Sequence, residues 1–176
     1  MEREIVLDTE TTGLDPSKGD RIIEIGAVEL LEHLPTGNTF HVYLNPERKI
    51  SEDSIRIHKI TDAFVADKPF FRDIAEEFLS FLGNSPLVIH NAQFDLSMIN
   101  NALKRLGKKP ISRESSICTL EIARKKFPGS KNNLNALCRR FGVSLESREK
   151  HGALTDCYLL LDVYIELLGG KQERLS

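Results

Sequence analysis

The chain has 176 residues, a hydrophobic fraction of 40% and a formal net charge of −2. This length fits a single domain, and the hydrophobic fraction is sufficient for one core, so we do not expect a largely disordered chain. No apolar run approaches the roughly 18 to 20 residues that a membrane-spanning helix needs, and the acidic start "MEREIVLD" does not resemble a signal peptide. Three widely spaced cysteines without a CxxC pair favour buried, reduced thiols in a cytoplasmic protein.

Charge is distributed unevenly along the chain. Residues 1–103 hold 18 acids and 9 bases, whereas residues 104–150 hold 4 acids and 13 bases. The distribution is typical of a face for a polyanion beside an acidic half that binds something cationic, with solvated helix faces as the alternative. The basic segment includes Lys104, Arg105, Lys108, Lys109, Arg124, Lys125, Lys126, Lys131, Arg139 and Arg140.

Three strands are predicted first. Segments 4–8 and 21–30 are rich in β-branched residues, and segment 38–44 follows the turn signal "PTGN". Because these strands follow one another without an intervening helix, we expect an antiparallel meander.

Helices and a further strand alternate in the rest of the chain. Segment 71–83 repeats apolar residues at helical spacing and ends at a glycine, as does segment 94–107, and the short apolar segment 86–90 between them is predicted to be a buried strand. The pattern predicts an α/β domain with a mixed sheet over residues 1–170, followed by a short C-terminal tail at 171–176. Later helices are predicted at 120–127, 134–141 and 153–168.

Asp8 and Glu10 stand two residues apart at the end of the first predicted strand. Side chains at positions i and i+2 of a strand face the same way, about 7 Å apart. Two such carboxylates repel each other unless a cation lies between them, and Mg²⁺ prefers carboxylate oxygens, whereas Zn²⁺ prefers His or Cys. The stretch predicts a metal site, with a solvated strand end as the alternative.

Two further acids are candidates for the same site. Asp95 opens a predicted helix after the strand at 86–90, where a favourable interaction with the helix dipole would also explain it. Asp156 lies in the first turns of the largely apolar last helix, where a buried acid needs a partner such as a metal ion. Asp162, on the same helix, is predicted to lie on the surface.

His151 lies five residues before Asp156, in the segment "SREKHG". The glycine after it would let a loop histidine swing inward, and an ordinary pKa of about 6.5 suits acceptance of a proton from water near neutral pH. A surface histidine is the alternative.

Four carboxylates and a histidine suit two-metal phosphoryl hydrolysis. In that chemistry one divalent ion lowers the pKa of a water and a second ion, about 3.5 to 4 Å away, stabilises the leaving oxygen. Together with the basic segment, the acids predict two divalent cations, Mg²⁺ or Mn²⁺, and a phosphodiester substrate.

The segments "DTETTGL", "HNAQFD" and "HGALTD" resemble the three exonuclease motifs of the DEDDh 3′→5′ exonucleases. The resemblance covers essentially the whole chain and is closest to the proofreading subunits of bacterial DNA polymerase III, with further similar text in "RIIEIGAVEL", "IHKITDAFVADKPFF" and "ARKKFPGSKNNLNALCRRF". It implies a ribonuclease H-like fold, a central mixed sheet flanked by helices. It also implies removal of nucleoside monophosphates from single-stranded or frayed DNA 3′ ends.

Carried over by position, the resemblance implies that Asp8, Glu10, Asp95 and Asp156 are the metal ligands, with Asp8 bridging both ions, and that His151 is the general base. It also implies a set of residues around the terminal nucleotide, among which Gly13 would let the backbone approach the substrate and Phe94 would stack on or wedge apart bases. This set is Thr11, Thr12, Gly13, Leu14, Asp53, His58, Asn91 and Phe94.

The resemblance further implies partners and a location. These are the alpha subunit of DNA polymerase III, whose binding segment is not evident in this chain, a small accessory subunit, and the nucleoid-associated replication machinery of the bacterial cytoplasm.

Three departures stand against the family pattern. Lys59 follows the motif histidine where relatives commonly have glycine, and Asp53 replaces a longer glutamate, which puts a direct sugar contact in doubt. Only "KQERLS" follows the last predicted helix, whereas the related subunits continue into a linker, so we expect either a catalytic core alone or a stand-alone relative.

Three other functions are weighed against DNA proofreading. An RNA-trimming exonuclease would use the same acids and differ in its tolerance of the 2′-hydroxyl. A haloacid-dehalogenase-like phosphatase would match "DTETT" only loosely, because Glu10 breaks its DxD pattern. A non-catalytic scaffold of a polymerase complex would be expected to have lost at least one of the acids or the histidine, and all five are present.

Overall fold

The computed structural model describes residues 2–150 and 152–170. The candidate base His151 and the predicted tail at 171–176 therefore lie outside the described residues. None of the helices within the described ranges is long and apolar enough to cross a membrane.

A mixed five-stranded sheet forms the centre of the fold, in the order β3-β2-β1-β4-β5. The first three strands pair antiparallel, and β4 and β5 continue the sheet in parallel with β1. The expected meander and the predicted mixed sheet are confirmed. The strands are β1 (Arg3–Thr11), β2 (Ile22–Leu31), β3 (Leu34–Tyr43), β4 (Leu87–Ile89) and β5 (Ser116–Cys118).

Seven α-helices lie within the described residues, and the five predicted ones are all found with ends within two residues of their expected positions. The other two helices and strand β5 are too short to produce a periodic pattern, and sequence reasoning missed them. The helices are α1 (Glu52–His58), α2 (Asp62–Val65), α3 (Phe71–Leu82), α4 (Ala92–Arg105), α5 (Thr119–Lys126), α6 (Leu134–Phe141) and α7 (Ala153–Leu167).

The turn between β2 and β3 lies at Glu32 and His33, and the turn predicted at "PTGN" is wrong. Both residues have positive φ, 52° and 66°, as two-residue hairpin loops of the primed type require. Pro35 pairs with Leu30 inside β3, which is tolerated because β3 is an edge strand of the sheet.

The helices cover the two faces of the sheet separately. One core cluster joins alternate residues of β1, such as Ile5 and Leu7, to α3 and α4. A second cluster joins the intervening Val6 to α7, and a third packs the far side of α7 against α5 and α6. Helix α7 is therefore buried on both sides, which explains its largely apolar sequence.

The candidate site lies at the C-terminal ends of β1 and β4. Helix α4 begins directly after β4, and α7 packs against β1 and β2. The side chains of Asp8 and Glu10 follow Val6 on the same face of β1, so they point toward α7.

Candidate active site

Three of the four predicted metal acids come together in the structure. Carboxylate oxygens of Asp8, Glu10 and Asp156 all lie within 4.8 Å of one another. Asp8 and Glu10 are contributed by β1, and Asp156 by the first turn of α7, where it is only 4% exposed. The sequence placed the first two on one face of a strand, and the packing of α7 brings the third acid to them.

Gly26 determines how closely α7 approaches the sheet. It is the register partner of Asp8 on β2. A Cβ atom at this position would lie 2.6 Å from the carbonyl carbon of Ala153 and from the amide nitrogen of Leu154. The thiol of Cys157 also donates a hydrogen bond to the Gly26 carbonyl oxygen, at 3.2 Å. The first turn of α7 therefore rests on the strand, and this contact positions Asp156.

Replacing Gly26 with alanine is expected to lower stability by about 1 to 3 kcal/mol, because the new methyl group overlaps backbone atoms that cannot rotate away. Displacement of the first turn of α7 would also separate Asp156 from the other two acids, so we expect the hydrolysis rate to fall at least about tenfold. Urea unfolding and a nuclease assay measure the two effects.

Gly37→Ala is the matched control for that variant. Gly37 has a φ of 93°, so alanine is strained there, but no atom lies within 4 Å of the added Cβ. We expect Gly37→Ala to lower stability with an unchanged hydrolysis rate. An unchanged rate in Gly26→Ala would show that this contact does not position Asp156.

Burial and mutual repulsion raise the pKa values of the clustered acids. The pKa of Asp8 is raised well above its ordinary value, first by burial and then by the charges of Asp95 and Glu10. Burial, followed by the charge of Asp156, raises the pKa of Glu10 to about 8. Oδ2 of Asp8 is buried and has no hydrogen-bond partner among the described residues. The cluster is therefore electrostatically incomplete and suited to a positive charge.

This donor set fits a hard divalent cation. All three side chains offer oxygen atoms, which Mg²⁺ and Mn²⁺ prefer, and neither histidine nor cysteine belongs to the group among the described residues. The predicted use of a divalent metal is supported by this geometry.

Asp95 lies beside the three-acid group and not within it. The Thr9 hydroxyl donates a short hydrogen bond to Oδ1 of Asp95, in the first turn of α4. Burial raises the pKa of Asp95 to about 7, and its charge is the largest electrostatic contribution to the raised pKa of Asp8. Thr9 therefore holds the fourth acid, Asp95, on the face of β1 opposite to Asp8 and Glu10. The sequence reasoning did not single out this threonine.

Arg148 forms an ion pair with Asp156 that sequence reasoning also missed. Its Nε lies 3.2 Å from Oδ1 and its Nη2 lies 3.3 Å from Oδ2 of that carboxylate. A third nitrogen, Nη1, donates to the side chain of Asn135 on α6. The only sequence signal was the position of Arg148, three residues before His151. Arg148 ties the segment before the candidate base to both helices.

Glu24 is a further acid in the site. It is fully buried on β2 opposite Glu10, and its Oε2 accepts a hydrogen bond from Nε2 of His41 at 2.6 Å. A Cβ on Gly152, the N-cap of α7, would lie 2.5 Å from the same oxygen. The sequence signal for this residue was an acid between the apolar residues Ile23 and Ile25.

The end of β1 is held by its own threonines. The Thr11 hydroxyl donates to the Gly13 carbonyl oxygen at 2.7 Å, and the Thr12 hydroxyl donates to Oδ1 of Asp20 at 2.8 Å. A Cβ on Gly13 would lie 2.4 Å from Oδ2 of Asp20. A side chain at position 13 would therefore collide with Asp20, which is a structural reason for glycine there. The sequence analysis had given only the approach of the substrate as a reason.

His58 is buried and braces the same strand end. Its Nδ1 accepts a hydrogen bond from the Ile60 amide at 3.0 Å, and its Nε2 lies 3.1 Å from the Thr11 carbonyl oxygen. Lys59, which stands where the resemblance led us to expect glycine, ends α1 with a φ of 63°, a conformation that favours glycine.

The remaining predicted substrate residues differ in their exposure. Leu14 is 81% exposed, and Asp53 is exposed and accepts a hydrogen bond from Arg56 Nη1 at 2.7 Å. Asn91 is exposed with a φ of 68° at the N-cap of α4, and Phe94 is partly buried against the core one turn into that helix. Leu14 and Asn91 are therefore accessible to a ligand, whereas Asp53 is paired with Arg56 on the surface of α1.

Comparison with known proteins agrees with this geometry. The family model described as "Exonuclease" matches residues 5–164. The DNA polymerase III subunit epsilon of Rickettsia felis is 53% identical over 97% of this chain and 76% of its own length. That of Buchnera aphidicola subsp. Acyrthosiphon pisum is 48% identical over 99% and 76%, and that of Haemophilus influenzae is 44% identical over 96% and 68%.

Solved structures confirm the predicted fold. Exonuclease X in complex with 5′ overhanging duplex DNA superposes with a TM-score of 0.73 at 30% identity, covering 94% of this chain and 90% of that one. A structure of exonuclease I gives a TM-score of 0.83 at 19% identity over 99% of this chain and 42% of that one. The family match and the identities of about half show that the chain belongs to the exonuclease family, among the DNA polymerase III epsilon subunits.

Proposed function

We propose that this chain is a 3′→5′ exonuclease that removes nucleoside monophosphates from single-stranded or frayed DNA 3′ ends during replication. The observation that carries the proposal is the group of three carboxylates at the meeting point of β1 and α7, in a chain of the epsilon subunit family. These acids would hold two divalent cations, Mg²⁺ or Mn²⁺.

Each residue of the site would have a separate task. When bound, the cations supply an activated nucleophile and stabilise the leaving oxygen of the scissile phosphodiester. Asp8, Glu10 and Asp156 would provide the ligand oxygens, and Asp95 a fourth from the other side of β1. His151 would accept the proton of the attacking water.

The rim would select unpaired ends without reading base identity. The exposed Leu14 and Asn91 and the partly buried Phe94 offer contact to a terminal nucleotide. A base enters such a site only after it has left its neighbour in the stack, and mismatched ends do so at a lower energetic cost. This difference would favour removal of misincorporated nucleotides.

The polymerase III partnership follows from the relatives. The alpha subunit and a small accessory subunit are the partners we propose, in the replication machinery of the bacterial cytoplasm.

The test uses 5′-labelled single-stranded DNA and RNA of the same sequence, with Mg²⁺ and with EDTA. The expected result is a ladder of DNA that shortens from the 3′ end, is lost in EDTA and is lost in Asp156→Asn. Asp162→Asn, which changes an exposed acid on the same helix, is the control and should cut normally.

Two other outcomes would redirect the assignment. Faster digestion of RNA than DNA would indicate an RNA-trimming exonuclease. Absence of DNA and RNA cleavage by folded protein in Mg²⁺ would contradict an enzymatic function and would favour a non-catalytic scaffold.

A further inference from the structure

A groove of about 610 Å³ lies beside the candidate active site, between the start of α4 and the connection from α5 to α6. We name it the basic groove. Its lining includes His90, Asn91, Arg124, Gly129, Ser130 and Asn132.

The chain from residue 124 to residue 140, part of which lines this groove, carries an uncompensated positive charge. From residue 124 to residue 140 there are six basic and no acidic residues. None of the six forms a salt bridge within the described part of the chain, whereas Lys108, Arg113 and Arg148 of the same basic segment each pair with an acid. The first turn of α6 also holds no acid. The six are Arg124, Lys125, Lys126, Lys131, Arg139 and Arg140.

The groove and the proposed nucleotide site share Asn91. Asn91, which lines it, precedes the metal-site acid Asp95 by four residues, or one helical turn. His90, which precedes Asn91, also lines the groove: its Nε2 lies 2.8 Å from the Asn132 carbonyl oxygen and its Nδ1 lies 2.9 Å from the Thr119 hydroxyl. A strand leaving the carboxylate cluster past Asn91 would enter the groove directly.

The alternative exit from the site offers less to a polyanion. On the other side of the end of β1, a cavity of about 310 Å³ is lined by Thr12 and by charges of both signs, including Asp20, Arg48 and Glu52. Arg48 is already paired there with Asp20, at 3.6 Å. Within the described residues, Lys49 also lines that cavity without a salt bridge, but Asp20 and Glu52 lie beside it, whereas no acid lines the basic groove.

We propose that the basic groove binds the phosphodiester backbone of the substrate strand on the 5′ side of the terminal nucleotide. Arg124 and Lys131 are the contacts we assign to it, since Arg124 lines the groove and the exposed Lys131 lies between two lining residues. A planar guanidinium suits a bidentate contact to a phosphate, and the ammonium adds a point charge. The inference rests on the proposed function, because it deepens the assignment of a single-stranded substrate.

The test measures how activity depends on the length of the strand. We compare kcat/KM for a 12-nucleotide DNA with that for a dinucleotide, which has no phosphate beyond the scissile one. In the double variant Arg124→Ala/Lys131→Ala, the ratio of kcat/KM for the 12-mer to kcat/KM for the dinucleotide is expected to fall about fivefold or more. The double variant Arg124→Lys/Lys131→Arg keeps both charges and should retain most of the wild-type ratio. Binding of the labelled 12-mer in EDTA should lose about 0.7 from its logarithmic salt slope for each phosphate contact removed.

Arg139→Ala is the control. It removes a cation of the same basic run from the far end of α6, and the length ratio should stay at the wild-type value. An unchanged ratio in the double variant would overturn the proposal, and so would an equal loss on both substrates, which would place these cations at the catalytic centre or in the fold. If the wild-type protein cut neither DNA, the proposed function itself would fail, and this outcome is distinct from the others.

Discussion

Asp8→Asn is expected to reduce hydrolysis about 10³-fold or more while making the metal-free protein harder to unfold. The activity falls because the group formed with Glu10 and Asp156 loses one of its three carboxylates. Metal ions contribute several kcal/mol to such reactions. Stability rises because burial and then the charges of Asp95 and Glu10 raise the pKa of Asp8 well above its ordinary value, and its Oδ2 has no hydrogen-bond partner within the described chain. Removal of one buried negative charge relieves this repulsion.

The gain in stability should depend on pH. At pH 8 we expect about 1 to 3 kcal/mol, which corresponds to about 2 to 4 °C in Tm per kcal/mol for a chain of this size. Near pH 4 the wild-type carboxyl is protonated and the gain should largely vanish. Thermal unfolding in EDTA and a nuclease assay in Mg²⁺ measure the two effects. Asp162→Asn should change neither, and a stability loss in Asp8→Asn at pH 8 would contradict the crowding of charge.

The metal-free protein is expected to lose stability as the pH rises from about 5 to 8. Burial raises the pKa of Glu10 from 4.5 to about 8 and that of Asp95 from 3.8 to about 7. The folded state therefore keeps protons in this window that the unfolded chain has released. The free energy of unfolding must then fall with rising pH and level off above about pH 8. For the coupled group the loss is on the order of 3 to 5 kcal/mol.

Urea unfolding in EDTA across that pH range measures the effect. Glu10→Gln removes one of the groups that titrate in this window and should therefore flatten the slope, which assigns the pH dependence to the buried acids. Saturating Mg²⁺ should reduce the fall in the free energy of unfolding with rising pH, because the ion binds the ionised acids of the folded state. A flat profile in the wild-type protein would mean that the acids are not crowded in the folded state.

The sequence predicted those parts of the fold and site that follow local periodicity. Alternation along β1 put Asp8 and Glu10 on one face, and helical spacing predicted α3, α4, α6 and α7 with close boundaries. Because Asp156 is an acid in a largely apolar helix, the sequence made it a candidate for the same site, and the structure places its carboxylate within 4.8 Å of the other two.

What the sequence could not predict depends on pairing and packing. Glu24 enters the site only because the register of β1 with β2 places it opposite Glu10. Arg148 reaches Asp156 through a loop whose path has no periodic signal, and Asp95 is turned toward Thr9 by the position of α4. The hairpin turn was misplaced because Pro35 and Gly37 are tolerated within an edge strand.

The central claim is that the cluster of Asp8, Glu10 and Asp156 binds the divalent ions on which hydrolysis depends. Calorimetric titration of Mn²⁺ into the metal-free protein at pH 7 tests it most directly, in two buffers of different ionisation enthalpy. We expect saturable binding with release of protons, because Glu10, with a pKa of about 8, must ionise to become a ligand. Binding should be weakened strongly in Asp8→Asn and unchanged in Asp162→Asn. Binding of equal strength in the wild-type protein and in Asp8→Asn, or hydrolysis that persists in EDTA, would contradict the account.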